Sequence, residues 1–495
     1  MEKYDLCIIG GGPSGYAAAM RAIDFGKRVV LIERDKVGGA GLYNGSLSSK
    51  AMWEFSQKYF TVKNELKESG TEGFDISFQD FMKSTNAAVF DRKFQLAVHL
   101  KLLQTETEKK VFTYERGKGI LQDKNHVLIK KEEKEKIIEA DYIILATGSR
   151  PRKLPSIPID EKIIFTSDGL FSISDFPASM VILGAGVISC EFATIFSNLG
   201  MTKVFLIDKA DRILPFEDED VSSTAAFNLE KNGAVIHRNS SLARMEIKNG
   251  EVEYELQYKD GRKEIHRVEK ALISVGRIPN TDGLGLENVG VIIDPNGYVV
   301  EKDTQTTVPN IYAVGDISRN VALVNVSELE GRLAVEKIFE DPTKKLNYQN
   351  LSAIMFLNPE IATVGLNEQQ AKEKGFSFRV VKLDYSCIAR AIAMRKTQGF
   401  FKIIVTDDDE MKILGMRAVG EHASSAIQAV SLLISMDKGI GVLADLIHPH
   451  PSIIEGVQEC VRMLMGKSIF KSSVFKDKLK CYRYVNGEII QMERL

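Results

Sequence analysis

YDLCIIGGGPSG, residues 4–15, is the most informative stretch for the fold of this 495-residue chain. An apolar strand runs directly into Gly10, Gly12 and Gly15, an alanine-rich stretch follows, and a second apolar strand, RVVLIE, ends at Glu33. The first glycine allows a tight turn, the second lets the backbone approach a pyrophosphate, and the third lets helix and strand pack closely. This order of elements predicts a βαβ unit that binds a dinucleotide, with Glu33 accepting hydrogen bonds from ribose hydroxyls.

The same order of elements returns later in the chain. The strand MVIL is followed by Gly184 and Gly186, and a second strand, VFLID, ends at Asp208. Ser189 occupies the third glycine position and is small enough for nearly the same packing. A carboxylate at position 208 pairs with a free 2′-hydroxyl and repels a 2′-phosphate, which favours NAD(H) over NADP(H), although Lys209 weakens this preference. Two units predict two dinucleotides, FAD at the first and NAD at the second.

Composition and charge are those of a soluble protein with several domains. The length predicts about three domains, and 44% apolar and 27% charged residues are ordinary values. A net charge of −2 gives no field that attracts nucleic acid or an anionic membrane, and no apolar run is long enough to span a bilayer. We expect no metal site and a reducing, cytoplasmic compartment, because the cysteines are scattered without metal-ligand spacing: Cys7, Cys190, Cys387, Cys460 and Cys481.

Further motifs follow one another along the chain. They are GGAGLYNGSLSSK at 38–50, ILATGSR at 144–150, VGRIPNT at 275–281, NIYAVGD at 310–316, NPEIATVG at 358–365 and HPSIIE at 450–455. In order and spacing they resemble the motifs of the class I pyridine nucleotide-disulfide oxidoreductases, such as dihydrolipoamide dehydrogenase. The resemblance implies an α/β fold with two Rossmann-like dinucleotide-binding domains, for FAD and NAD, plus an α+β C-terminal dimerisation domain, and hence a homodimer.

The resemblance also implies domain boundaries. They are residues 1–149 and 277–347 for the FAD-binding domain, 150–276 for the NAD-binding domain and 348–468 for the dimerisation domain. The resemblance does not explain residues 469–495, which we expect to form an appended tail. Within the tail, Asn486-Gly487 between CYRYV and EIIQM predicts a β-hairpin. We expect this hairpin to pack on the body or on the dimer partner. A lysine-rich docking patch for an acidic partner is the less favoured alternative.

The resemblance assigns cofactor-binding positions. For FAD these are Gly10, Gly12, Gly15, Glu33, Gly39, Lys50, Thr147, Gly148 and Asp316. For NAD they are Gly184, Gly186, Ile188, Glu191, Asp208 and Gly276. By the same resemblance, Asp316 would hold the ribityl chain of the flavin. Lys50 would lie beside the flavin N5 and pair with Glu191, and both would take part in catalysis, because a cation there favours the anionic reduced flavin.

The segment at 38–50 departs from the family pattern at two positions. That pattern is close to GGTCLNVGCIPSK, so Gly41 and Ser46 stand where the redox-active cysteines would be. Neither residue can form a thiolate, a disulfide or a charge-transfer partner for flavin. We expect a roomier, more polar pocket beside the flavin, lined by Tyr43 and Asn44, that is open to an acceptor reacting with flavin directly.

His450 and Glu455 match the family's HPTxxE segment, with Ser452 in place of threonine. In the family this pair crosses the dimer interface and serves as acid–base for the thiol nearest the substrate, the glutamate orienting the ring and stabilising the imidazolium. Here the base is kept without its thiol. Two alternatives follow: His450 protonates another acceptor, or it persists as a hydrogen-bonded interface residue.

The sequence predicts a homodimeric, diaphorase-like or quinone-reductase-like enzyme. It would take hydride from NADH onto FAD and reduce a small-molecule acceptor, such as a quinone, a dye-like compound or oxygen. A soluble pyridine nucleotide transhydrogenase is the alternative; Asp208 argues against it, since that activity must also accommodate NADPH. A third hypothesis is a non-catalytic FAD- and NAD-binding scaffold or regulatory subunit. The altered segment at 38–50 and Ser189 favour it, and Lys50, Glu191 and Asp316 oppose it.

Overall fold

The computed structural model describes residues 1–71, 73, 75–106, 111–319, 321–471 and 473–492. The chain divides into two compact units. The first comprises Met1–Phe176, Glu246–Val252 and Lys270–Leu346, and the second Pro177–Met245, Glu253–Glu269 and Asn347–Leu495. The domain boundaries expected from the resemblance form a finer division and stay a prediction. Ser472 and positions 493–495 of the expected tail lie outside the described residues.

The described residues up to Phe176 contain eight strands and four α-helices. The strands are β1 (Glu2–Ile9), β2 (Val29–Glu33), β3 (Phe112–Arg116), β4 (Lys118–Leu121), β5 (His126–Lys131), β6 (Lys134–Leu145), β7 (Ser149–Pro151) and β8 (Ile164–Thr166). The helices are α1 (Pro13–Asp24), α2 (Gly39–Leu42), α3 (Ser46–Glu68) and α4 (Phe78–Glu106). Helix α1 begins at Pro13, directly after the glycine turn, because proline has the backbone angle that a first helical residue needs.

The middle of the chain repeats the strand–helix–strand order. Its strands are β9 (Ser179–Leu183), β10 (Lys203–Ile207), β11 (Val235–His237), β12 (Ser240–Lys248), β13 (Glu251–Tyr258) and β14 (Lys263–Val268), with helices α5 (Val187–Leu199) and α6 (Glu219–Lys231). The next elements are β15 (Lys270–Ile273), β16 (Arg277–Pro279), β17 (Glu301–Lys302), β18 (Gln305–Thr306), β19 (Ile311–Ala313) and α7 (Val324–Phe339).

A nine-stranded sheet forms the centre of the first unit. Its main path runs β17-β18-β19-β6-β1-β2-β3; off this path, β5 pairs with β6, and β4 pairs with β5. Strand β1 pairs in parallel with both β2 and β6. Both faces of β1 are buried, as its near-continuous apolar run predicts for a central parallel strand. Leu6 and Ile8 pack into one core cluster, and Cys7 and Ile9 into another. The sheet therefore brings the ends of β1, β2, β6 and β19 to one edge.

The second unit contains a parallel ladder in the order β11-β10-β9. Helix α5 connects β9 to β10, and from Ser189 to Leu199 every residue is buried. Gly200 ends this helix with a φ of +74°, a left-handed conformation that glycine adopts without strain. The ladder thus places the end of β9, the start of α5 and the end of β10 side by side.

The remainder of the second unit is built on an antiparallel sheet. Its strands are β20 (Ser352–Met355), β21 (Ile361–Gly365), β22 (Phe378–Asp384), β23 (Phe400–Thr406), β24 (Ile413–Val419), β25 (Leu479–Val485) and β26 (Glu488–Gln491), in the order β20-β21-β24-β23-β22-β25-β26. Its helices are α8 (Glu368–Glu373), α9 (Ala389–Ala393), α10 (Ala423–Ser435), α11 (Gly441–Ala444) and α12 (Glu455–Leu464). Strands β25 and β26 form the hairpin predicted in the tail, with positive φ angles at Asn486 and Gly487.

Candidate functional site

The first glycine turn forms an open cradle at the start of α1. Gly10 has a φ of +113°, and a Cβ built there would lie 2.2 Å from the carbonyl oxygen of Ala146. A Cβ on Gly15 would lie 1.9 Å from the carbonyl oxygen of Gly10, whereas one on Gly12 would meet nothing within 4 Å. Packing therefore requires glycine at positions 10 and 15. At position 12 the open space is where a phosphate can approach the helix N-terminus.

Glu33, at the end of β2, binds the glycine turn. Its Oε2 accepts a hydrogen bond from the Gly11 N–H at 2.7 Å, and its Oε1 accepts one from the Asp35 N–H at 2.7 Å. A carboxylate oxygen can accept more than one hydrogen bond, so Glu33 retains capacity for ribose hydroxyls. Gly39 lies against the same turn, because its Cβ would be 3.3 Å from the Gly12 Cα.

The second glycine turn has the same bonding pattern. Gly184 has a φ of +101°, and a Cβ on Gly186 would meet nothing within 4 Å. Asp208 Oδ2 accepts from the Ala185 N–H and Oδ1 from the Ala210 N–H, each at 2.8 Å. Glu33 and Asp208 therefore make equivalent contacts. Each carboxylate accepts one hydrogen bond from the N–H of the middle residue of its glycine turn and one from the N–H two positions after the acid in the chain. This equivalence supports two dinucleotide cradles.

The start of α5 holds the remaining positions predicted for NAD. Ile188 is half-buried there. Ser189 is fully buried, and its hydroxyl has no hydrogen-bond partner among the described residues. Gly276 has a φ of +103°, and a Cβ there would meet nothing within 4 Å; it belongs to the first unit.

A polar network surrounds Asp316 in the first unit. Its Oδ2 accepts a hydrogen bond from the Ser149 hydroxyl at 2.7 Å, and that hydroxyl accepts one from Arg277 Nε at 2.7 Å. The network fixes the orientation of the carboxylate predicted to hold the ribityl chain. Ser149 and Arg277 belong to the quoted ATGSR and GRIPN motifs, but the sequence reasoning assigned them no role.

Thr147 and Gly148 lie where the chain enters β7, which pairs with β16 in antiparallel fashion. Asn280 binds Thr147 reciprocally: the Thr147 hydroxyl donates to the Asn280 carbonyl at 2.7 Å, and Asn280 Nδ2 donates to the Thr147 carbonyl at 2.9 Å. A Cβ on Gly148 would meet nothing within 4 Å. Asn280 is a further residue that sequence reasoning missed, although its polar side chain follows a strand end.

Residues 38–50, where the resemblance expects the cysteine pair, include α2 and the start of α3. Gly41 lies against the first turn of α1, since a Cβ built on it would be 2.7 Å from Pro13 Cγ. Ser46 is the exposed first residue of α3. The Ser49 hydroxyl donates to the Gly45 carbonyl oxygen at 2.6 Å, and Lys50 Nζ donates to the Ser49 hydroxyl at 3.4 Å.

Glu191 is buried in α5, with only 5% of its surface exposed. Its Oε1 accepts a hydrogen bond from the Phe356 N–H at 3.1 Å. Lys50 belongs to the first unit and Glu191 to the second, so the pairing of the two side chains stays a prediction.

His450 and Glu455 lie together, as the sequence pattern predicts. His450 Nδ1 is 2.7 Å from Glu455 Oε1, and Glu455 Oε2 accepts from the Ser452 N–H at 2.8 Å. Burial acts to raise the pKa of Glu455, but hydrogen bonds from the Ser452 amide and the His450 ring together lower it below its usual value. Glu455 therefore stays anionic and fixes an imidazole ring whose side chain is 70% exposed.

None of the helices in the described part of the chain is long and apolar enough to cross a membrane.

The family model described as pyridine nucleotide-disulphide oxidoreductase matches residues 4–331, and the model of the corresponding dimerisation domain matches residues 351–461. A dihydrolipoyl dehydrogenase of Bacillus subtilis is 32% identical over 489 residues, covering 94% of this chain and 99% of the relative. The mitochondrial dihydrolipoyl dehydrogenase of Schizosaccharomyces pombe is 30% identical, covering 94% of this chain and 91% of the relative.

Solved structures give the same result. LpdA from Mycobacterium tuberculosis superposes with a TM-score of 0.84 at 25% identity, covering 94% of this chain and 100% of that structure. The copper(II) complex of the HOCl-induced flavoprotein disulfide reductase RclA from Escherichia coli superposes with a TM-score of 0.83 at 25% identity, with the same coverage. These matches confirm the predicted fold class of two Rossmann-like dinucleotide-binding domains and an α+β dimerisation domain.

Proposed function

The chain belongs to the pyridine nucleotide-disulphide oxidoreductase family, and from this premise we propose that it takes hydride from NADH and reduces a small, non-disulfide acceptor directly from FAD. The family uses FAD and NAD(H). One observation carries the proposal: residues 38–50 contain no cysteine, with Gly41 and Ser46 where the resemblance expects the redox-active pair, while both glycine cradles keep their acids. Such a chain can hold both cofactors but has no dithiol in the usual place.

The other cysteines do not supply a substitute. Cys7, Cys190, Cys460 and Cys481 are buried, and desolvation raises the pKa of each thiol, that of Cys481 to about 12. Burial likewise raises the pKa of the half-buried Cys387. Because the thiolate is the reactive form, these thiols are poor redox groups at neutral pH. The named dihydrolipoyl dehydrogenase activity of the relatives is therefore not proposed for this chain.

The retained polar groups have binding roles in this proposal. Bound FAD supplies hydride acceptance from NADH and electron delivery to the acceptor. Glu33 and Asp208 bind the ribose hydroxyls of the two dinucleotides, and Asp316, oriented by Ser149, binds the flavin side chain. Lys50 stabilises negative charge on the reduced cofactor, which favours hydride transfer toward it.

In this proposal His450 delivers a proton to the acceptor. Anionic Glu455 accepts a hydrogen bond from Nδ1, so Nε2 is the ring nitrogen that exchanges a proton with an acceptor. The matched dimerisation domain supports a homodimer, and we propose that each exposed His450 serves an acceptor bound in the dimer. Reduction of a quinone consumes protons as well as electrons. A quinone would therefore take electrons from the flavin and a proton from His450.

An anaerobic titration of the FAD-loaded protein with NADH tests the proposal. We expect the flavin absorbance to bleach with one equivalent of NADH, and rapid re-oxidation by a quinone but not by lipoamide. A flavin that does not bleach would exclude an enzyme of this kind and favour the scaffold hypothesis. Equal rates of bleaching by NADH and NADPH would favour a transhydrogenase. Re-oxidation by lipoamide would contradict the proposal and indicate that the protein is a disulfide reductase.

A further inference from the structure

A cluster of two histidines, a glutamate and a tyrosine lies in the second unit, apart from the groups assigned above. His237 ends β11, Tyr258 ends β13, and Glu264 and His266 lie on β14. One ring nitrogen of each histidine and a carboxylate oxygen of Glu264 all lie within 4.8 Å of one another. These four residues are called the His237 cluster.

The donor atoms are connected in a chain. His237 Nδ1 is 2.7 Å from the Tyr258 hydroxyl, which donates to Glu264 Oε2 at 3.0 Å. His266 Nε2 is 3.1 Å from the same Oε2. In a tetrahedral site with metal–ligand bonds of about 2.0–2.2 Å, neighbouring donor atoms are about 3.3 Å apart. The Glu264–His266 pair is thus already at ligand spacing, and a ring nitrogen of His237 lies within 4.8 Å of both donor atoms.

The histidine rings are held in place by aromatic neighbours. Phe205 stacks on His237 with ring planes 14° apart, and Tyr254 stacks on His266 with a centroid distance of 5.2 Å. His237 is only 8% exposed, and its Nε2 is buried without a hydrogen-bond partner among the described residues. Buried imidazole nitrogens are normally hydrogen-bonded or metal-bound, so His237 is an unusual residue for a purely structural cluster.

Neighbouring charges do not block the cluster. Arg262 Nη1 lies 3.5 Å from Glu264 Oε1, the oxygen that does not contact His266. The arginine pairs more closely with Asp260, at 2.8 Å from its Nε, and its side chain is 62% exposed. The Oε2 side of Glu264 is therefore left to the histidines and to Tyr258.

We propose that His237, Glu264 and His266 bind a divalent transition-metal ion through one ring nitrogen of each histidine and the Glu264 carboxylate. Two imidazoles and a carboxylate form a Zn²⁺ donor set, and Tyr258 orients its neighbours as an outer hydrogen-bonding group does. The sequence predicts no metal site, because His237 on β11 is far along the chain from Glu264 and His266 on β14, and these two residues alone form no metal-ligand motif. This proposal does not depend on the proposed function.

The cluster adjoins the predicted NAD cradle through the backbone. The Asp208 N–H donates to the His237 carbonyl at 3.3 Å, and the Ser240 N–H donates to the Asp208 carbonyl at 3.2 Å. An ion that joins the end of β11 to β14 would therefore rigidify the strand next to Asp208. Because a ligand that binds only the folded state stabilises it, zinc should raise the thermal unfolding midpoint of the protein.

The test is a calorimetric titration of the chelator-treated, FAD-loaded protein with Zn²⁺. We expect one ion per chain, an affinity lowered about tenfold or more by Glu264→Gln or His266→Gln, and zinc-edge X-ray absorption of the wild type that shows two imidazole ligands. His126→Gln is the matched control, since His126 also bonds a carboxylate, Asp123 Oδ2 at 2.8 Å; it should bind zinc as the wild type does.

Three results would overturn the proposal. The first is the absence of saturable zinc binding, and the second is equal zinc affinity in the wild type and in His266→Gln. The third is loss of binding in His450→Gln but not in the variants of the His237 cluster, because that result would assign the ion to the His450–Glu455 pair. The X-ray absorption spectrum needs no variant, so a spectrum with fewer than two imidazole ligands would overturn the proposal even where a substitution prevents folding. Flavin content and circular dichroism report whether each variant is folded.

Discussion

At the residue scale, two glycines of the first glycine turn are needed for different reasons. Gly15 is needed for backbone packing, and Gly12 leaves the space that a ligand needs. Gly15 touches backbone, since its Cβ would lie 1.9 Å from the Gly10 carbonyl oxygen, whereas Gly12 has open space on its Cβ side. The two positions are three residues apart in one turn and would respond to the same substitution in different ways.

Gly12→Ala is expected to fold but to lose FAD, because the added methyl group occupies the space that the pyrophosphate needs. Gly15→Ala is expected to unfold or aggregate, because the contact lies between backbone atoms that cannot move apart cheaply. Flavin absorbance of the purified variants and their circular dichroism measure the two effects. A Gly12→Ala variant that retains full flavin content would contradict the assignment of this turn to FAD.

Restoring the cysteine pair tests the alignment of residues 38–50. The double substitution Gly41→Cys and Ser46→Cys is expected to give a long-wavelength charge-transfer band on reduction by NADH, because a thiolate would then lie against the flavin. Ser46 is exposed, but Gly41→Cys must displace the Pro13 ring, whose Cγ is 2.7 Å from the new Cβ. We therefore expect a lower unfolding midpoint as well.

The control is Gly41→Ser with Ser46 unchanged, which adds the side-chain volume without a thiol. It should share the loss of stability and show no new band. If the folded, flavin-loaded double variant also shows no band, the cysteine positions have been misplaced.

At the element scale, the tail hairpin is an integral part of the antiparallel sheet. Strand β25 pairs with β22 along its length, and Tyr482 donates to Glu368 at 2.7 Å. Asp407 joins the two strands, because its carboxylate accepts hydrogen bonds from Arg379 on β22 and from Arg483 on β25. The tail therefore packs on the body, one of the two places expected for it.

Asp407→Asn is expected to lower the urea unfolding midpoint at pH 7, with a loss of about 1–3 kcal/mol for the charged hydrogen bonds. Burial acts to raise the pKa of Asp407, but Arg483 and Arg379 outweigh it and lower the pKa. A lowered pKa gives stability that is present above the usual carboxyl value of about 4 and is lost as the pH falls through the lowered value.

The difference between wild type and Asp407→Asn should therefore shrink below pH 4, and urea titrations at pH 7 and pH 3 measure it. Asp409→Asn, at an exposed neighbouring position, is the control and should change little at either pH. A difference that stays constant with pH would show that the ionised carboxylate does not carry the stabilisation.

At the scale of the whole molecule, the described part of the second unit exposes large apolar side chains on and after α10. Leu432 is 55% exposed, Met436 53% and Ile447 95%. Leu432 and Met436 are four residues apart, so they lie on one helical face. Contiguous exposed apolar surface is typical of an interaction site, and the matched dimerisation domain includes these residues.

The double substitution Leu432→Lys and Met436→Lys is expected to shift the protein from dimer toward monomer, because lysine cannot be buried in an apolar contact without a partner. Sedimentation velocity at several concentrations measures the shift. Phe227→Lys is the matched control, since Phe227 is 58% exposed on α6, outside the matched dimerisation domain. An unchanged dimer in the double variant would exclude this face as the interface.

Much of the fold and part of the candidate site could be predicted from the sequence, because the decisive signals are local. A strand, a glycine turn, a helix and an acid lie within one continuous stretch, so the sequence predicts both βαβ units. The ribose contacts of Glu33 and Asp208 stay predictions. The hairpin at Asn486-Gly487 is local for the same reason. The lack of thiols at Gly41 and Ser46 can also be seen directly in the sequence, because it depends only on which residues stand there.

The family and the two dinucleotide-binding units could be predicted from the chain alone, since their motifs consist of residues close together along it. The placement of Gly41 and Ser46 at the cysteine positions stays a prediction. Only the tertiary structure placed Ser149 between Asp316 and Arg277, and only it brought His237 to Glu264 and His266. Pairing of β7 with β16 joins Ser149 to Arg277, and packing between two separate sheets joins His237 on β11 to β14. Both contacts join residues far apart in sequence. No spacing rule along a single chain records which strands will become neighbours.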